Sequence, residues 1–370
     1  MNKYPKSVGR QSLVVSRKNK KDRRDGIIDR NDIISDHQRR PTTDDRRILV
    51  TGGAGYIGSH TIHYLISQGV KPESIIVLDN LVYGHRKLLP SEIKFIEGDL
   101  LDRKKIDQIF KNNQIEAVFH FAAYNIVSDS MKDPGKYFYN VTGTVNLLEA
   151  MVRGDCKKLI FSSTAAIYGF PKKMPIDEDT EILPTNPYGE SKFQAEKILE
   201  WYSKIYGIKS IRLRYFNAAG ADFGIGELHD PETHLIPLVL KTILGGGKQI
   251  SVFGRDYPTA DGTCIRDYIH VSDLAKAHYL ALGKLSEKNF QSDYYNLGTG
   301  RGISVQEIID LCQKVSGQKI GIKYTNRRPG DPPILVSSSK KAERELDWQA
   351  EHNIEDIIKS AFLWHQKCSR

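Results

Sequence analysis

The 370-residue sequence predicts an α/β protein with a doubly wound parallel sheet and a second, smaller α/β domain. Two observations predict the sheet: apolar runs of strand length alternate with helix-periodic segments, and short connections join them. A third predicts the second domain, because glycines and prolines become more frequent and the apolar runs shorten after Asn217. We expect a dinucleotide-binding domain over 46–215 and a substrate domain over 216–370, from which segments near 264–300 return to the first.

The chain begins with a polar segment that carries most of its charge. Of the formal net charge of +9, a net +7 falls on residues 1–47, and the rest of the chain is nearly neutral. We interpret residues 1–45 as a disordered basic tail. A transit peptide is the alternative, but the seven aspartates that follow residue 21 argue against a long one. The neutral remainder predicts no nucleic-acid partner.

Cysteine spacing and hydropathy set the expected compartment. The four cysteines show no CxxC spacing, which predicts neither a zinc site nor a disulfide framework and suits a reducing compartment. No apolar run approaches the roughly 18 residues of a membrane span. Nothing near Met1 resembles a secretory signal. We therefore expect a cytoplasmic protein with no membrane partner.

A glycine-rich turn follows the first predicted strand. The apolar run Ile48–Val50 predicts a buried strand, and three glycines at a spacing of three precede an apolar-periodic segment. Gly52 supplies a tight turn, Gly55 lets the backbone approach a pyrophosphate, and Gly58 lets the helix pack closely. The helix N-terminus then presents N–H groups and its positive dipole end to the phosphates. Strand, turn and helix together predict a Rossmann-type dinucleotide site.

An acidic residue ends the second predicted strand. Asp79 follows the apolar run Ile75–Leu78 and lies 21 residues after Gly58. A carboxylate at this distance accepts a hydrogen bond from the adenosine ribose 2′-hydroxyl and repels a 2′-phosphate. We therefore predict NAD rather than NADP as the cofactor.

The remaining strands and helices continue the alternation. The predicted strands are Ile93–Leu100, Ala117–Ala123, Lys158–Thr164 and Ser210–Tyr215, and the predicted helices are Val141–Met151 and Tyr188–Tyr206. Ligands of open α/β sheets bind beyond the carboxyl ends of the strands. Small or polar residues mark those ends here: Gly52, Asp79, Asp99, Ala123, Thr164 and Asn217.

A tyrosine and a lysine one helical turn apart predict acid–base chemistry. Tyr188 and Lys192 share a helix face. A neighbouring ammonium group and a nicotinium ring both favour phenolate, which would lower the tyrosine pKa and make it a general base. The YxxxK pattern also occurs at Tyr83 and Tyr168, but only the Tyr188 copy opens a long periodic helix. Thr164, at the end of the preceding strand, would hydrogen-bond the reacting oxygen.

Arginines in the second half are candidates for phosphate and ribose contacts. Arg266 and the loop Arg327–Asp331 offer guanidinium groups, which suit bidentate phosphate binding. Phe253 precedes a glycine and could stack on a base or belong to the core.

Nine motifs together resemble a known family over residues 47–370. They resemble the extended short-chain dehydrogenase/reductases and, among these, the UDP-galactose 4-epimerases. The motifs are TGGAGYIG, LDN, GDL, HFAA, SST, PYGESK, RYFNAAGA, DGTCIRDYIHVSDLA and RRPGDP, in that order.

The resemblance implies a reaction and a set of site residues. NAD would be held tightly and not consumed, and Tyr188 would take the proton of the sugar 4-hydroxyl while C4 loses hydride. The transient 4-keto sugar would rotate and regain hydride on its other face, converting UDP-galactose to UDP-glucose. With the three glycines, the implied NAD contacts are Tyr56, Ile57, Asp79, Asn80, Asp99, Leu100, Phe121, Ala122, Ala123, Asn140, Tyr188, Lys192 and Phe216. The implied UDP-sugar contacts are Thr164, Asn217, His234, Leu235, Phe253, Arg266, Arg328, Asp331 and Leu335.

The sequence departs from the family pattern at four places. Asn125 replaces a lysine that some members have near the cofactor, and the segment before Asn140 is one residue short. That shortening is familiar among epimerases of UDP-xylose and UDP-arabinose. The loop 221–227 is about two residues short. Leu335 falls at the family position that limits the access of an N-acetyl group to the site. It is neither the bulky tyrosine nor the small residue of the clearest cases, so UDP-N-acetylglucosamine stays open as a substrate.

The residues after Thr164 and the tyrosine/lysine pair disfavour other functions of the same scaffold. A 4,6-dehydratase needs an acid/base pair after Thr164, and a UDP-glucuronate decarboxylase typically has a glutamate there, but Ala165 and Ala166 cannot move protons. An inactive NAD-sensing binding protein usually lacks the tyrosine or the lysine, and both are present. The resemblance also implies a homodimer formed through the helices near 142–151 and 188–206.

Overall fold

The computed structural model describes residues 46–328 and 330–369. The predicted tail over 1–45 lies outside the described residues. Within these ranges no helix combines the length and the apolar character that crossing a membrane requires.

Strands and helices alternate along the described chain. The strands are β1 (Arg47–Thr51), β2 (Ile75–Asp79), β3 (Lys94–Glu97), β4 (Ile115–His120), β5 (Lys158–Thr164), β6 (Lys209–Tyr215), β7 (Asn217–Ala219), β8 (Gln249–Phe253), β9 (Ile265–His270), β10 (Asp293–Leu297), β11 (Gly302–Ser304), β12 (Gly321–Thr325) and β13 (Ile334–Leu335). The helices are α1 (Tyr56–Ser67), α2 (Arg103–Asn112), α3 (Val127–Ser130), α4 (Pro134–Arg153), α5 (Pro187–Tyr206), α6 (Leu235–Leu244), α7 (Val271–Leu285), α8 (Val305–Ser316), α9 (Lys340–Leu346) and α10 (Ile354–Cys368).

Seven parallel strands form the main sheet, in the order β10-β6-β5-β4-β1-β2-β3. The chain runs outward from β1 through β2 to β3 and then returns to β4 on the other side of β1. The predicted doubly wound α/β fold is confirmed. The strand order reverses between β1 and β4, and ligands of such sheets bind at this switch point.

The strands of the main sheet are apolar on both faces because helices cover both sides of a parallel sheet. Every residue of β2 is buried, as are five of the six residues of β4, and strands covered by helices on both faces have this continuous apolar character. Two cores lie on opposite faces of the sheet. One contains Val50, Val77 and Leu274, and the other contains Leu49, Leu147 and Leu199.

Strands β7–β9 and β11–β13, with helices α6, α8 and α10, form a second group around its own core, which we call the smaller body. In one small sheet β9 pairs with β7, β11 and β13, and in another β8 pairs with β12. Helices α6, α8 and α10 cover a third core that includes Val239, Ile308 and Ile357. Of the segment near 264–300, β9 lies in the small sheet, α7 packs against α1, and β10 forms the edge of the main sheet. The assignment of separate cofactor and substrate domains stays a prediction.

The glycine turn brings the end of β1 against the end of β4. Gly52 has φ +71°, and a Cβ there would lie 2.4 Å from the backbone nitrogen of Ala122. A Cβ on Gly58 would lie 2.5 Å from the carbonyl oxygen of Gly52, so this glycine packs against the turn itself. Gly52 must therefore be glycine because of its positive φ and its close neighbours, and Gly58 because of its close neighbours alone.

The first prediction concerns Gly52→Ala. We expect a loss of about 2–4 kcal/mol in the free energy of unfolding, because the new methyl group meets main-chain atoms of Phe121 and Ala122, just after β4, in addition to the cost of a positive φ. Gly69 is the matched control, since it has φ +91° with nothing within 4 Å of its Cβ position. Gly69→Ala should cost only about 1–2 kcal/mol in the same urea titration. Equal losses for the two variants would contradict the close approach.

Candidate active site

One continuous cleft of ≈ 1240 Å³ runs along the carboxyl ends of the main sheet and the face of the smaller body. Every residue assigned to the catalytic, cofactor or UDP-sugar set lies on its wall. Arg327, the other arginine of the candidate loop, does not line the cleft and pairs instead with Asp256 at 2.8 Å. The structure thus brings together positions that are far apart in the chain, from Gly52 to Leu335. The individual role of each residue stays a prediction.

The half of the cleft at β1 and β2 has the shape that a dinucleotide needs. A Cβ on Gly55 would meet only the carbonyl oxygen of Gly52, at 3.2 Å, so the side facing the cleft is open. Asp79 accepts hydrogen bonds from the backbone N–H of Ala54 (3.0 Å) and of Leu81 (2.9 Å), which fixes its carboxylate at the rim. Burial raises the pKa of Asp79, and the two backbone donors oppose that rise.

The next two strand ends continue this rim. Asn80 donates its side-chain amide to Asp99, at 2.7 Å. Asn140 is almost fully buried on α4 and engages the loop after β4: its side-chain oxygen accepts from the backbone N–H of Tyr124 (2.8 Å), and its nitrogen donates to the Tyr124 carbonyl (2.9 Å). The same nitrogen reaches Ser191 Oγ at 3.2 Å. Asn140 therefore fixes the loop that lines the cofactor half.

Tyr188 lies in the first turn of α5, where the local sequence starts a helix. Asn186 caps the helix by accepting from the backbone N–H of Gly189, and Pro187 occupies the first position. A Cβ on Gly189 would lie 2.6 Å from the Ala166 carbonyl oxygen, so the helix start packs directly against the segment after β5. Thr164 ends β5 close enough for its hydroxyl to influence the pKa of Tyr188, and its Oγ1 accepts from the backbone N–H of Ala166 at 3.1 Å.

Lys192 is held inside the wall behind Tyr188. Its Nζ donates to the carbonyl oxygen of Ser162 at 2.8 Å and lies 4.8 Å from the ring centre of Phe161. Burial lowers the pKa of Lys192 to about 7, against the opposing effect of the Glu196 carboxylate.

The protein's own groups shift the pKa of Tyr188 upward. Burial raises this pKa to about 12, and the hydroxyl of Thr164 opposes that rise. The sequence predicts a lowered pKa from the lysine ammonium and a nicotinium ring together, and the effect of the ring stays a prediction.

The other two YxxxK tyrosines have different surroundings. Tyr168 is buried, and its hydroxyl donates to Asn296 (2.7 Å) and accepts from Arg214 (2.8 Å), so it is a structural residue of the core. The Tyr83 hydroxyl accepts from Lys136 at 3.3 Å at the rim of the cleft.

A buried ion pair behind the lysine was missed from the sequence. Glu196 lies one turn after Lys192, accepts from Ser163 Oγ at 2.6 Å, and pairs with Arg214 of β6 at 2.6 Å. Both side chains are about 2% exposed. The signal was present, because Tyr188, Lys192 and Glu196 repeat at a spacing of four on one helix face. The partner on β6 could not be identified without the fold.

The half of the cleft on the smaller body carries the charged candidates. Arg266 of β9 forms an ion pair with Asp331, and its second nitrogen donates to the Ile265 carbonyl oxygen at 2.7 Å. The guanidinium of Arg328 stacks 4.1 Å from the ring centre of Phe253. These contacts place two arginines and an aromatic ring on one wall.

A loop between β7 and α6 completes this half of the cleft. His234 Nδ1 lies 2.8 Å from Glu227 Oε1 and 3.0 Å from Glu232 Oε1. Burial lowers the pKa of His234, but the two carboxylates outweigh it and raise that pKa to about 10. From α10, Trp364 Nε1 donates to the Glu227 carbonyl oxygen at 3.1 Å and supports the loop from behind.

Comparisons with known proteins agree on one family. The model of the NAD dependent epimerase/dehydratase family matches residues 48–298. A UDP-glucose 4-epimerase of Halalkalibacterium halodurans is 50% identical over 324 residues, which covers 86% of this chain and 96% of that protein. The solved UDP-glucose 4-epimerase from Brucella ovis in complex with NAD is 42% identical, with a TM-score of 0.82, over 87% of this chain and 98% of that one. The enzyme from Bifidobacterium longum in complex with NAD⁺ and UDP is 38% identical, with a TM-score of 0.82 and the same coverage.

The second prediction concerns Lys192→Met in the cofactor-free protein. The pKa of Lys192 is about 7 in the folded chain and 10.5 ordinarily, so between these values the unfolded chain holds a proton that the folded chain does not. Wild-type stability therefore rises with pH in this window, and below it the folded chain bears the full cost of the buried charge. The variant should be more stable than the wild type. This excess in the free energy of unfolding should be largest below pH 7, and above pH 7 it should fall by up to about 1.4 kcal/mol per pH unit.

Urea unfolding at pH 6 and pH 9 measures this excess. Lys197→Met is the matched control, because Lys197 lies on the same helix but is exposed and pairs with Glu200 at the surface. Its substitution should change stability little and equally at both pH values. An excess for Lys192→Met that stays constant with pH would contradict the assigned protonation of this lysine.

Proposed function

The chain belongs to the NAD-dependent epimerase/dehydratase family, and from this we propose that it interconverts UDP-galactose and UDP-glucose through a transient 4-keto sugar. It is an NAD-dependent epimerase by its relatives and its fold. One observation carries the proposal for the site: the Tyr188–Thr164 pair and the glycine turn line the same ≈ 1240 Å³ cleft. That volume exceeds the roughly 300–1,000 Å³ of ordinary ligand pockets and suits two nucleotides at once.

The residues present fit NAD. The open face of Gly55 and the N-terminus of α1 would receive the pyrophosphate, and the fixed carboxylate of Asp79 would accept from the adenosine ribose. The remaining contacts proposed from the sequence lie along the same wall, from Tyr56 to Phe216. When bound, NAD⁺ supplies a hydride acceptor that returns the hydride within the same catalytic cycle.

Tyr188 is the proposed base and acid of the reaction. With its hydroxyl deprotonated, the Tyr188 oxygen takes the proton of the sugar 4-hydroxyl as C4 loses hydride, and it gives the proton back when the hydride returns. Thr164 hydrogen-bonds this oxygen and lowers the cost of its charge. Lys192, held by the Ser162 carbonyl, adds a donor behind the tyrosine. The proton is stored on this chain and never has to reach solvent.

The smaller body would hold the UDP while the sugar turns. Arg266 and Arg328 supply positive charge for the diphosphate, and Asp331 holds the Arg266 guanidinium in place. Phe253 offers a stacking surface, with Asn217, His234 and Leu235 on the same wall. An anchored nucleotide leaves the 4-keto sugar free to rotate about its link and present its other face.

The segment after Thr164 favours an epimerase over a dehydratase. Ala165 and Ala166 form the short 3-10 turn that follows β5, and both line the cleft. Neither side chain can protonate or deprotonate the sugar at C5 or C6. The sugar itself is open to test, with UDP-xylose/UDP-arabinose and UDP-N-acetylglucosamine as alternatives. Leu335, half-buried on the substrate wall, is the residue proposed to limit the N-acetyl group.

A homodimer through α4 and α5 is part of this proposal. These two helices pack against each other on the outside of the main sheet. The last turns of α5 expose Trp201 (59%), Ile205 (64%) and Tyr206 (43%), which we call the α5 patch. Trp201 and Ile205 are one turn apart and share a face. Adjoining exposed apolar side chains of this size are typical of protein interfaces.

The third prediction tests the reaction. Purified full-length protein, incubated with UDP-galactose and no added NAD, should yield UDP-glucose on chromatography, because the cofactor is retained. Tyr188→Phe should lose at least about 100-fold in turnover, the usual contribution of a positioned acid–base group, and should still contain NAD. Wild-type turnover in Tyr188→Phe would show that Tyr188 is not the acid–base group of the reaction. Absence of conversion even with added NAD would reject UDP-galactose and direct the assay to the alternative sugars.

The fourth prediction tests the dimer. Sedimentation velocity should give the mass of two chains for the wild type and of one chain for the double variant Trp201→Glu/Ile205→Glu, because two buried carboxylates would disrupt an apolar interface. Leu363→Glu is the control, since Leu363 is also 64% exposed but belongs to α10, which packs against α6 and α8. A dimer in all three proteins would contradict this interface.

A further inference from the structure

Three potential metal ligands lie together on the wall of the cleft. Glu227, His229 and His234 belong to the loop between β7 and α6, and their ligating atoms all lie within 4.8 Å of one another. We propose that these three side chains form a binding site for a divalent transition-metal ion of the Zn²⁺ class. The reaction proposed above needs no such ion, so the site is an addition to it.

The donor set matches the chemistry of this ion class. Imidazole nitrogen and carboxylate oxygen are standard zinc ligands, and two histidines with one glutamate are a known combination that leaves a fourth position open. In a tetrahedral site the ligating atoms lie about 3.4 Å apart, from metal–ligand distances of about 2.1 Å. Atoms already within 4.8 Å reach that spacing by small side-chain rotations.

The state of His229 supports the assignment independently. Its Nε2 is shielded from solvent and has no hydrogen-bond partner among the described residues. The ring is held in place by Tyr83, with ring centres 4.8 Å apart, and lies 5.5 Å from the His234 ring. A buried nitrogen that makes no hydrogen bond loses its solvation without compensation. A metal ion bound at this nitrogen would restore that lost interaction.

The charge around His234 is suited to a dication. Glu227 and Glu232 both approach its Nδ1, at 2.8 and 3.0 Å, and Glu227 is only 5% exposed. Lys241 pairs with the other oxygen of Glu232 at 3.2 Å and offsets one of the two charges. An ion bound by Glu227 and His234 would replace the proton between them. Glu232 would keep its hydrogen bond from the His234 backbone N–H, at 3.0 Å, which holds the start of α6 beside the ion.

The position of the cluster predicts its effect. His234 is also a proposed UDP-sugar contact, and all three ligands line the same cleft. An ion held there would therefore compete with the sugar nucleotide, a consequence that rests on the proposed function. The binding itself does not rest on it.

The fifth prediction measures binding directly. Metal-free full-length protein carrying Cys368→Ser, which removes the exposed thiol, is titrated with Zn²⁺ by calorimetry. It is then titrated with Co²⁺ by visible absorption. We expect one saturable site and the absorption of four-coordinate Co²⁺. His229→Gln and Glu227→Gln should each weaken affinity at least about tenfold, since even outer-shell changes at metal sites cost 10–100-fold.

A matched control and the contrary outcomes complete the test. His352 also pairs with a carboxylate, Asp273, at 2.9 Å, but does not line the cleft, so His352→Gln should bind as the parent does. No saturable site, or unchanged affinity in both ligand variants, would overturn the proposal. Metal binding in a protein that converts no UDP-sugar would keep the metal site and reject the proposed function.

Discussion

The close approach of the glycine turn to the end of β4 is the constraint on which the cleft depends. Because Gly52 has no side chain, β1 and β4 end side by side at the point where the strand order reverses. That reversal opens the crevice, and the ends of β2 to β6 each add at least one group to its rim. A side chain at Gly52 would separate the two strand ends and displace Phe121 and Ala122, which line the cofactor half.

Burial, more than charge pairing, sets the chemistry of the catalytic wall. Lys192 is buried and Tyr188 is half-buried at the cleft, and both pKa values move toward the neutral forms of their side chains. Behind them the Glu196–Arg214 pair is fully desolvated and ties α5 to β6. Removing one member would leave an uncompensated charge in the core. The wall is therefore held rigid, and the charge of a bound nicotinamide would act on groups that are already positioned.

Patterns with a short period could be predicted from the sequence, and contacts between distant segments could not. The Tyr188/Lys192 pair and the glycine turn are local, so spacing alone indicated their geometry. The same spacing extends to Glu196, yet its partner Arg214 comes from another strand and needed the fold. The upward effect of burial on the pKa of Tyr188 could not be predicted, because sequence shows neighbours along the chain but not how much protein surrounds a group. The ion pair of Arg266 with Asp331 was likewise hidden, although both residues were candidates.

The bond from Trp364 to the Glu227 carbonyl has a consequence for biosynthesis. Its two residues are 137 positions apart, so the loop that faces the substrate stays unsupported until the ribosome has released a segment made much later. The glycine turn, Asp79 and the β1–β4 contact need only residues made early. The half of the cleft at β1 and β2 can therefore form once α7 has covered α1, while the other half waits for α10. A chain stalled before α10 would expose an incomplete loop to proteases and chaperones beside a half-cleft that is already folded.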